Sequence, residues 1–313
     1  MIVNDKEGRK YLDAVRNGSF KLGLDTGCAL DNHLRYKRNN FNIIAGHANV
    51  GKTKWILYYY LLLSLKHGLR WCFYSAENEL GDIKADLLEL MEVQKLQDLT
   101  QLRYESSLQW VNEHFKFIDH EEFFTKHKRM MSYKDILKAF SETDLDGLVI
   151  DPYNSLAKDG STLNGHEYDY MVASELRMYC KMNNKCIYIL AHGNTEALRK
   201  KYGKEHDYHG HPIPLSASDI EGGGKWVNRC DDFIVIHRMT QHPSNWMNTE
   251  IHVRKVKSTR TGGTPTMIDE PVIFKLEKGL YFTVNGQNPI DKPAPQDKPL
   301  PLNVEFDNEE APF

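Results

Sequence analysis

The stretch that decides the fold is residues 41–67, which read FNIIAGHANVGKTKWILYYYLLLSLKH. A short β-type run, Phe41–Ala45, leads into a loop. The segment after the loop, Lys54–His67, is apolar almost all round, which predicts a buried helix that ends at Gly68. The loop itself, Gly46–Thr53, fits the pattern GxxxxGK[ST], and a strand before it with a helix after it is the context that makes this match specific. The stretch therefore predicts a phosphate-binding loop between a strand and a helix.

Each part of this loop has a chemical task in phosphate binding. Its glycines let the backbone wrap an anion and present N–H groups and a helix N-terminus to it. We expect Lys52 to reach the β- and γ-phosphates of a nucleotide and the Thr53 hydroxyl to hold Mg²⁺. An ordinary glycine turn is the alternative, and eight matched positions with both flanks argue against it. The candidate nucleotide-binding residues are Gly46, His47, Ala48, Asn49, Val50, Gly51, Lys52 and Thr53.

Strands and helices alternate along the rest of the chain. Periodicity predicts helices at 80–93, 133–141 and 166–183, and strands at 70–75, 148–151, 185–191, 232–238, 250–257, 272–276 and 280–284. Strands separated by helices predict an α/β fold, with a mainly parallel twisted sheet and helices on both faces. Such sheets bind ligands beyond the carboxyl ends of their strands.

Polar side chains end three of the predicted strands. Asp151 follows an apolar run, and a carboxylate there suits Mg²⁺, which prefers oxygen ligands. Glu77 follows the strand after the phosphate-loop helix and is a candidate general base for an attacking water, the alternative being an exposed glutamate that starts the next helix. His192 ends a further strand and is a candidate contact to the γ-phosphate, although a lone histidine is more often structural.

These motifs, in this order, resemble those of the RecA-like hexameric replicative helicases of the DnaB type, and especially the helicase half of phage primase–helicases. The resemblance covers residues 20–285, with 74–77, 151–156 and 219–224 similar to further motifs of the family. It implies a RecA-like P-loop NTPase core that uses ATP and Mg²⁺. In that core Glu77 is the catalytic base, Thr53 and Asp151 hold the metal, and His192 senses the γ-phosphate.

One motif departs from the family pattern. The last motif of the family has an arginine two residues after a lysine, followed shortly by glycine. Here residues 255–262 read KVKSTRTG, and the nearest arginine, Arg260, stands three residues after Lys257. The resemblance therefore offers two candidates for the positive charge that acts on the neighbouring subunit's nucleotide, Arg260 first and Lys257 second.

A basic cluster lies between His192 and Asp219, where the family has a DNA loop in its central channel. Basic side chains neutralise phosphates, and the tyrosine among them offers a surface on which a base can stack. A solvated charged loop is the alternative. The candidate nucleic-acid-binding residues are Arg199, Lys200, Lys201 and Lys204.

Composition excludes several other classes of protein. The net charge of the 313 residues is −3, so no global basic field points to nucleic acid. The most apolar run, Trp55–Leu65, has 11 residues and three tyrosines, whereas a membrane span needs about 20. Five cysteines without a CxxC pair argue against a disulfide framework. We expect a cytoplasmic protein without a membrane span, located in the host cytoplasm if a phage encodes it.

The chain is expected to have three parts. Residues 1–40 are predicted to be an N-terminal arm or linker, 41–288 the RecA-like ATPase domain, and 289–313 a flexible tail with spaced prolines and many acids. The tail ends in Phe313 and resembles the acidic, aromatic-ended tails of single-strand-binding and phage replication proteins. It is therefore a candidate contact to a replication partner, with a purely solubilising role as the alternative.

Together these features predict an ATP-dependent, ring-forming DNA helicase or translocase that acts on single-stranded DNA in replication. Its expected partners are single-stranded DNA and copies of itself, in a homo-hexamer or related ring. Two alternatives share parts of the pattern. One is a RecA-type recombinase that forms filaments on DNA, and the other is a non-enzymatic ATP-binding adaptor, against which Glu77 counts.

Overall fold

The computed structural model describes residues 6–160 and 162–290. Its strands are β1 (Phe41–Gly46), β2 (Trp71–Ser75), β3 (Phe115–Phe117), β4 (Gly147–Asp151), β5 (Cys186–His192), β6 (Asp232–Arg238), β7 (Asn248–Val256), β8 (Val272–Glu277) and β9 (Tyr281–Val284). Its helices are α1 (Lys6–Arg16), α2 (Lys52–His67), α3 (Leu80–Glu92), α4 (Gln101–His114), α5 (His120–His127), α6 (Tyr133–Ser141), α7 (Gly165–Asn183), α8 (Gly224–Arg229) and α9 (Thr259–Gly262).

The nine strands found within residues 6–160 and 162–290 form one sheet in the order β3-β2-β4-β5-β1-β6-β7-β8-β9. The first six strands in this order are parallel to one another. The last three continue the sheet as antiparallel neighbours. The predicted α/β fold with a mostly parallel sheet is confirmed. The carboxyl ends of β2, β4, β5 and β1 are consequently adjacent along one edge.

Both faces of the sheet are covered, as alternation along β1 illustrates. Ile44 packs into the core on the α2 and α3 side. Ile43 and Ala45 pack into a second core with residues of α6, α7 and α8. Successive strand residues point to opposite faces, so a strand between two helical layers is mostly apolar on both sides, and the one polar side chain of β1, Asn42, is buried with a hydrogen bond to Cys186 Sγ. This is why β1 lacks the polar–apolar alternation of a strand with one wet face.

The apolar character of α2 follows from what surrounds it. One side of the helix packs on the sheet, where the Tyr60 ring stacks on Trp71 with centroids 3.6 Å apart. Its other sides meet β8 and β9, with Tyr58 and Phe282 rings 5.1 Å apart. Residues 30–36 also bury apolar side chains in this core. The end of the predicted N-terminal arm therefore packs with the ATPase domain, and the boundary at residue 40 stays a prediction.

Residues 101–127 contain elements that the sequence did not reveal. The apolar residues of α4 do not form a single stripe, because Leu102 is exposed whereas Val111 is buried. β3 has three residues, pairs with β2, and has no second partner strand among the described residues. Both are defined by tertiary packing rather than by pattern, as short edge elements commonly are.

The predicted tail lies almost entirely outside the described residues. Its first two residues are an exception, since Ile290 is buried in the core beside β9. None of the described helices combines the length and apolar character needed to cross a membrane.

Candidate active site

The phosphate loop connects β1 to α2 with a backbone that two glycines make possible. Gly51 has a φ of +88°, a backbone conformation that residues with a side chain rarely adopt. A Cβ at Gly46 would lie 2.5 Å from the Ile236 carbonyl oxygen, so only glycine fits there. The loop leads directly into α2, whose first N–H groups have no partners within the helix. The local sequence thus builds a cradle of backbone donors at a helix N-terminus, which suits an anion.

Lys52 is held inside this loop. Its side chain is only 6% exposed, and Nζ donates to the carbonyl oxygens of Gly46 at 3.1 Å and His47 at 2.9 Å. Burial lowers the pKa of Lys52, while the carboxylates of Asp151 and Glu77 act in the opposite direction. The loop therefore presents a preorganised cation within its own curve, as phosphate recognition requires.

Thr53 and Asp151 form a pair of oxygen ligands beside that cation. The Thr53 hydroxyl donates to Asp151 Oδ2 at 2.5 Å, and Asp151 is 2% exposed. Burial raises the pKa of Asp151 to about 6, although the Thr53 hydrogen bond and the charge of Lys52 lower it. A buried carboxylate next to a hydroxyl is a donor set that fits a hard divalent cation. The structure thus brings together the two predicted metal ligands.

Glu77 and His192 complete the cluster from two further strands. His192 pairs with Gly46 in the β5–β1 register, and its Nδ1 lies 3.3 Å from Lys52 Nζ. Its Nε2 lies 3.5 Å from Glu77 Oε1. Burial and the charge of Lys52 lower the pKa of His192, so a neutral ring is favoured near pH 7. Glu77 is 53% exposed and faces the same cleft.

The cleft has a volume of about 490 Å³ and opens between the phosphate loop and the start of α3. This lies within the range of about 300–1,000 Å³ that is usual for small-molecule sites. Lys52, Thr53, Glu77, Asp151 and His192 all line it. The arrangement therefore offers a place for phosphates, for a divalent cation and for a base in one cavity.

Comparison with solved structures identifies this architecture. The chain matches a solved structure described as an ATPase domain with a TM-score of 0.68 and 13% identity, over 89% of this chain and 97% of that chain. It matches a structure described as a DnaB-like replicative helicase and its interactions with primase with a TM-score of 0.66 and 13% identity, over 90% of this chain and 67% of that chain. The fold is that of the ATPase domain of DnaB-like replicative helicases.

A relative of known name agrees with this. The Twinkle homolog protein of Arabidopsis thaliana, chloroplastic/mitochondrial, is 25% identical over 266 residues, which is 79% of this chain. The chain spans 35% of that relative's length. No family model matches the chain. The resemblance to DnaB-type helicases that the motifs predicted is confirmed by these neighbours.

The two candidate trans-acting cations lie at the other ends of the strands of the DnaB-like sheet, away from the carboxyl ends that form the cleft. β7 runs antiparallel to β6, so Val256 pairs with Asp232, the first residue of β6. Lys257 follows there, and its Nζ lies 3.4 Å from Asp231. Arg260 is exposed in α9, and the described part of the chain offers its side chain no hydrogen bond or ion pair. The structure does not bring either residue to the nucleotide cleft of its own chain.

The predicted DNA residues lie on a loop that we call the basic loop, residues 194–218. Its base is fixed to the end of β5, because Asn194 N donates to the Asp219 carbonyl and Glu221 N to the His192 carbonyl. Arg199, Lys201 and Lys204 are exposed. Lys200 differs from them, because its Nζ lies 2.5 Å from the buried carboxylate of Asp219. All four candidates are therefore exposed, and Lys200 in addition holds the base of the loop.

Sequence reasoning missed one cation beside the phosphate loop, Arg238. A Cβ at Gly51 would lie 3.8 Å from Arg238 Nη1, and the guanidinium stands over the Trp246 ring at 5.7 Å from its centre. Arg238 ends β6, the parallel neighbour of β1. The rule that selected His192, a polar residue at the carboxyl end of a buried strand, would have found it.

Proposed function

We propose that this chain is an ATP-dependent, ring-forming DNA helicase or translocase that acts on single-stranded DNA in replication. The single observation that carries the proposal is that Lys52, Thr53, Glu77, Asp151 and His192 line one cleft, at or just beyond the carboxyl ends of four adjacent strands. P-loop enzymes use such groups for phosphoryl transfer: a lysine on the phosphates, a hydroxyl and a carboxylate on Mg²⁺, and a group that orients the attacking water. The DnaB-like fold supports the assignment.

Binding of ATP is assigned to the phosphate loop, residues 46–53. Its backbone N–H groups and the N-terminus of α2 would hold the phosphates, and Lys52 would turn from its carbonyl partners to the β- and γ-phosphates. The oxygens of Thr53 and Asp151 fit Mg²⁺, which when bound neutralises charge on the phosphate oxygens.

Hydrolysis is assigned to Glu77 with help from His192. Glu77 is half-exposed at the mouth of the cleft, where its carboxylate can accept a hydrogen bond from a water and orient it. His192 stands between Lys52 and Glu77 and is joined through its backbone to the base of the basic loop. A shift of His192 on loss of the γ-phosphate would therefore move the base of that loop.

Ring formation would give Lys257 and Arg260, which lie far from the cleft of their own chain, a role in hydrolysis. Lys257 and Arg260 lie at the edge of the sheet opposite the cleft. A head-to-tail ring can set this edge of one subunit against the cleft of the next. Each site would then combine the base of one chain with a cation of its neighbour, as arginine fingers act in trans.

Contact with DNA is assigned to the basic loop. Arg199, Lys201 and Lys204 are exposed and can reach phosphates, Arg199 by leaving its surface ion pair with Glu196. Tyr202 among them can stack on a base. In a ring, six or so copies of such a loop would line a central opening and follow the nucleotide state. Replication partners such as a primase or polymerase are proposed to bind the acidic tail, which lies outside the described residues.

One experiment tests the proposal against its two alternatives. ATP hydrolysis is measured with and without single-stranded DNA, and the same samples are sized on a column and imaged by negative stain. We expect stimulation by DNA and closed rings, with hydrolysis lost in Lys52→Ala. Filaments on DNA would support a recombinase instead. Nucleotide-dependent assembly without turnover would support an adaptor.

A further inference from the structure

The side chain of His47 connects the phosphate loop to the basic loop. This residue is the second of the phosphate loop and is 6% exposed. Its Nε2 lies 3.1 Å from the carbonyl oxygen of Ile213, in the returning arm of the basic loop. A carbonyl oxygen can only accept, so Nε2 carries the proton and donates it. The imidazole is thus a direct hydrogen bond between the two loops.

The backbone of His47 is tied to the phosphate-recognising cation. Its carbonyl oxygen accepts a hydrogen bond from Lys52 Nζ at 2.9 Å. A phosphate bound by the loop competes for the same ammonium, and a charged acceptor makes the stronger hydrogen bond. Phosphate binding therefore releases the His47 carbonyl. One residue connects the group that recognises phosphate with the loop that carries the basic residues.

Ile213 is suited to pass a displacement on to those basic residues. Its N–H donates to the Lys200 carbonyl at 3.0 Å, and Tyr202 N–H donates to the His211 carbonyl at 3.0 Å. Residues 200–202 and 211–213 are thus joined in a short antiparallel ladder. A shift of the Ile213 carbonyl would carry Lys201 and its neighbours with it.

The surroundings of His47 leave little room to absorb such a shift. A Cβ at Gly193 would lie 3.4 Å from His47 Nδ1 and 3.0 Å from the Leu215 side chain. The ring centroid of buried His237 lies 6.3 Å from that of His47. A closely packed interior has few voids and transmits displacements, so a movement of the His47 backbone is passed on by the imidazole to Ile213.

We infer that His47 is a positioning residue that couples the phosphate site to single-strand binding by the basic loop. The inference rests on the proposed function and deepens it. It is separate from the connection through His192, which reaches the base of the loop along the chain. Coupling of two ligands is reciprocal: nucleotide changes DNA affinity by the factor by which DNA changes nucleotide affinity, commonly about 5–150-fold.

The test compares three variants of the full chain that differ in what residue 47 can donate. His47→Gln carries an amide N–H at the reach of Nε2, His47→Asn carries the same amide one bond shorter, and His47→Leu has no donor. Single-strand affinity is measured by fluorescence anisotropy of labelled oligo-dT, with and without a non-hydrolysable ATP analogue. The ratio of the two affinities is the coupling factor, so a change that alters both affinities by the same factor cancels.

We expect the coupling factor of His47→Gln to stay within about two-fold of that of the unchanged chain. The factor should fall by about five-fold or more, toward one, in His47→Asn and His47→Leu, the change that one ordinary buried hydrogen bond corresponds to. Nucleotide-induced change in hydrogen exchange of residues 200–213 should be lost in the same two variants. His47→Gln and His47→Asn are both polar amides, so the pair remains informative if His47→Leu fails to fold.

Two failures can be told apart. If the unchanged chain binds no single strand, or neither ligand affects the other, the proposed function is wrong. If the unchanged chain couples the two ligands and His47→Asn couples them equally well, the function stands and the role of His47 is refuted.

Discussion

Arg260 cannot act on the nucleotide of its own chain, and this leads to a quantitative prediction. β6 has seven residues, and at about 3.3 Å per residue its two ends are about 20 Å apart. The phosphate loop lies beside Arg238 at one end, whereas Lys257 and α9 follow the strand residue that pairs with Asp232 at the other. An arginine side chain does not span that distance. If Arg260 contributes to hydrolysis, it does so in the cleft of a neighbouring subunit.

The magnitude follows from the role. Trans-acting arginines contribute about 10³–10⁵ in kcat, which corresponds to about 4–7 kcal/mol of transition-state stabilisation. Arg260→Ala should therefore lower kcat by about 10³ or more, with nucleotide binding unchanged. Lys257→Ala is the matched control, because Lys257 already pairs with Asp231, a carboxylate that Arg177 also binds. We expect less than about a tenfold loss there, as for a screened surface ion pair.

The assay mixes Arg260→Ala subunits with Glu77→Gln subunits, each nearly inactive alone. In a ring, a site is competent when an intact base meets an intact arginine, and random mixing at equal amounts makes about one quarter of the sites competent. ATP hydrolysis should rise from near zero toward that fraction, with a maximum at equal mixing. No recovery at any ratio, with mixed rings verified by native mass spectrometry, would refute action in trans by Arg260.

Three other predictions follow from the same structure. Replacing Arg199, Lys201 and Lys204 with alanine should keep basal ATP hydrolysis, abolish its stimulation by DNA, and flatten the log–log salt dependence of single-strand binding by about 0.7 per lost contact; an unchanged slope would mean a solvated surface loop. Burial lowers the pKa of His237 to about 4, against 6.5 when unfolded, and His47, His211, His252 and Glu250 face it. As the pH falls, the unfolded state therefore takes up the proton first. The contribution of His237 to the free energy of unfolding is full above pH 6.5 and falls by at most about 3 kcal/mol toward pH 4. In urea unfolding, His237→Leu should lose this dependence of the free energy of unfolding on pH, and an equal dependence in the variant would show that the ring titrates freely. Deleting residues 303–313 should leave ATPase activity and single-strand binding intact but weaken binding to a replication partner at low salt, with Phe313→Ala doing most of the same damage; equal partner binding by pull-down would leave only a solubilising role.

Much of the site could be predicted because its chemistry is local in sequence. The phosphate loop is one continuous motif, and its neighbours are strand-terminal polar residues. Asp151 and His192 end apolar runs and Glu77 follows one closely, and the parallel order of the strands then brings them together. Because ligands bind at the carboxyl ends of parallel strands, these three residues could be assigned to one cleft from the sequence.

What could not be predicted depends on contacts between distant segments. Nothing in the pattern around Lys200 indicated that it pairs with Asp219, nineteen residues away. The hydrogen bond from His47 to Ile213 joins positions 166 residues apart through a backbone carbonyl, which has no sequence signature. α4 and β3 were not predicted for the same reason, because packing rather than periodicity defines them.

Unwinding of a forked duplex tests the central claim most directly. A 5′- or 3′-tailed fork with a fluorescent strand is incubated with the chain, Mg²⁺ and ATP, and strand release is followed in real time. We predict release with ATP, no release with a non-hydrolysable analogue, and no release by Glu77→Gln, although that variant should still bind Mg·ATP and the fork. Hydrolysis stimulated by single-stranded DNA, with no strand release from either fork and extended filaments on the DNA, would contradict the helicase assignment.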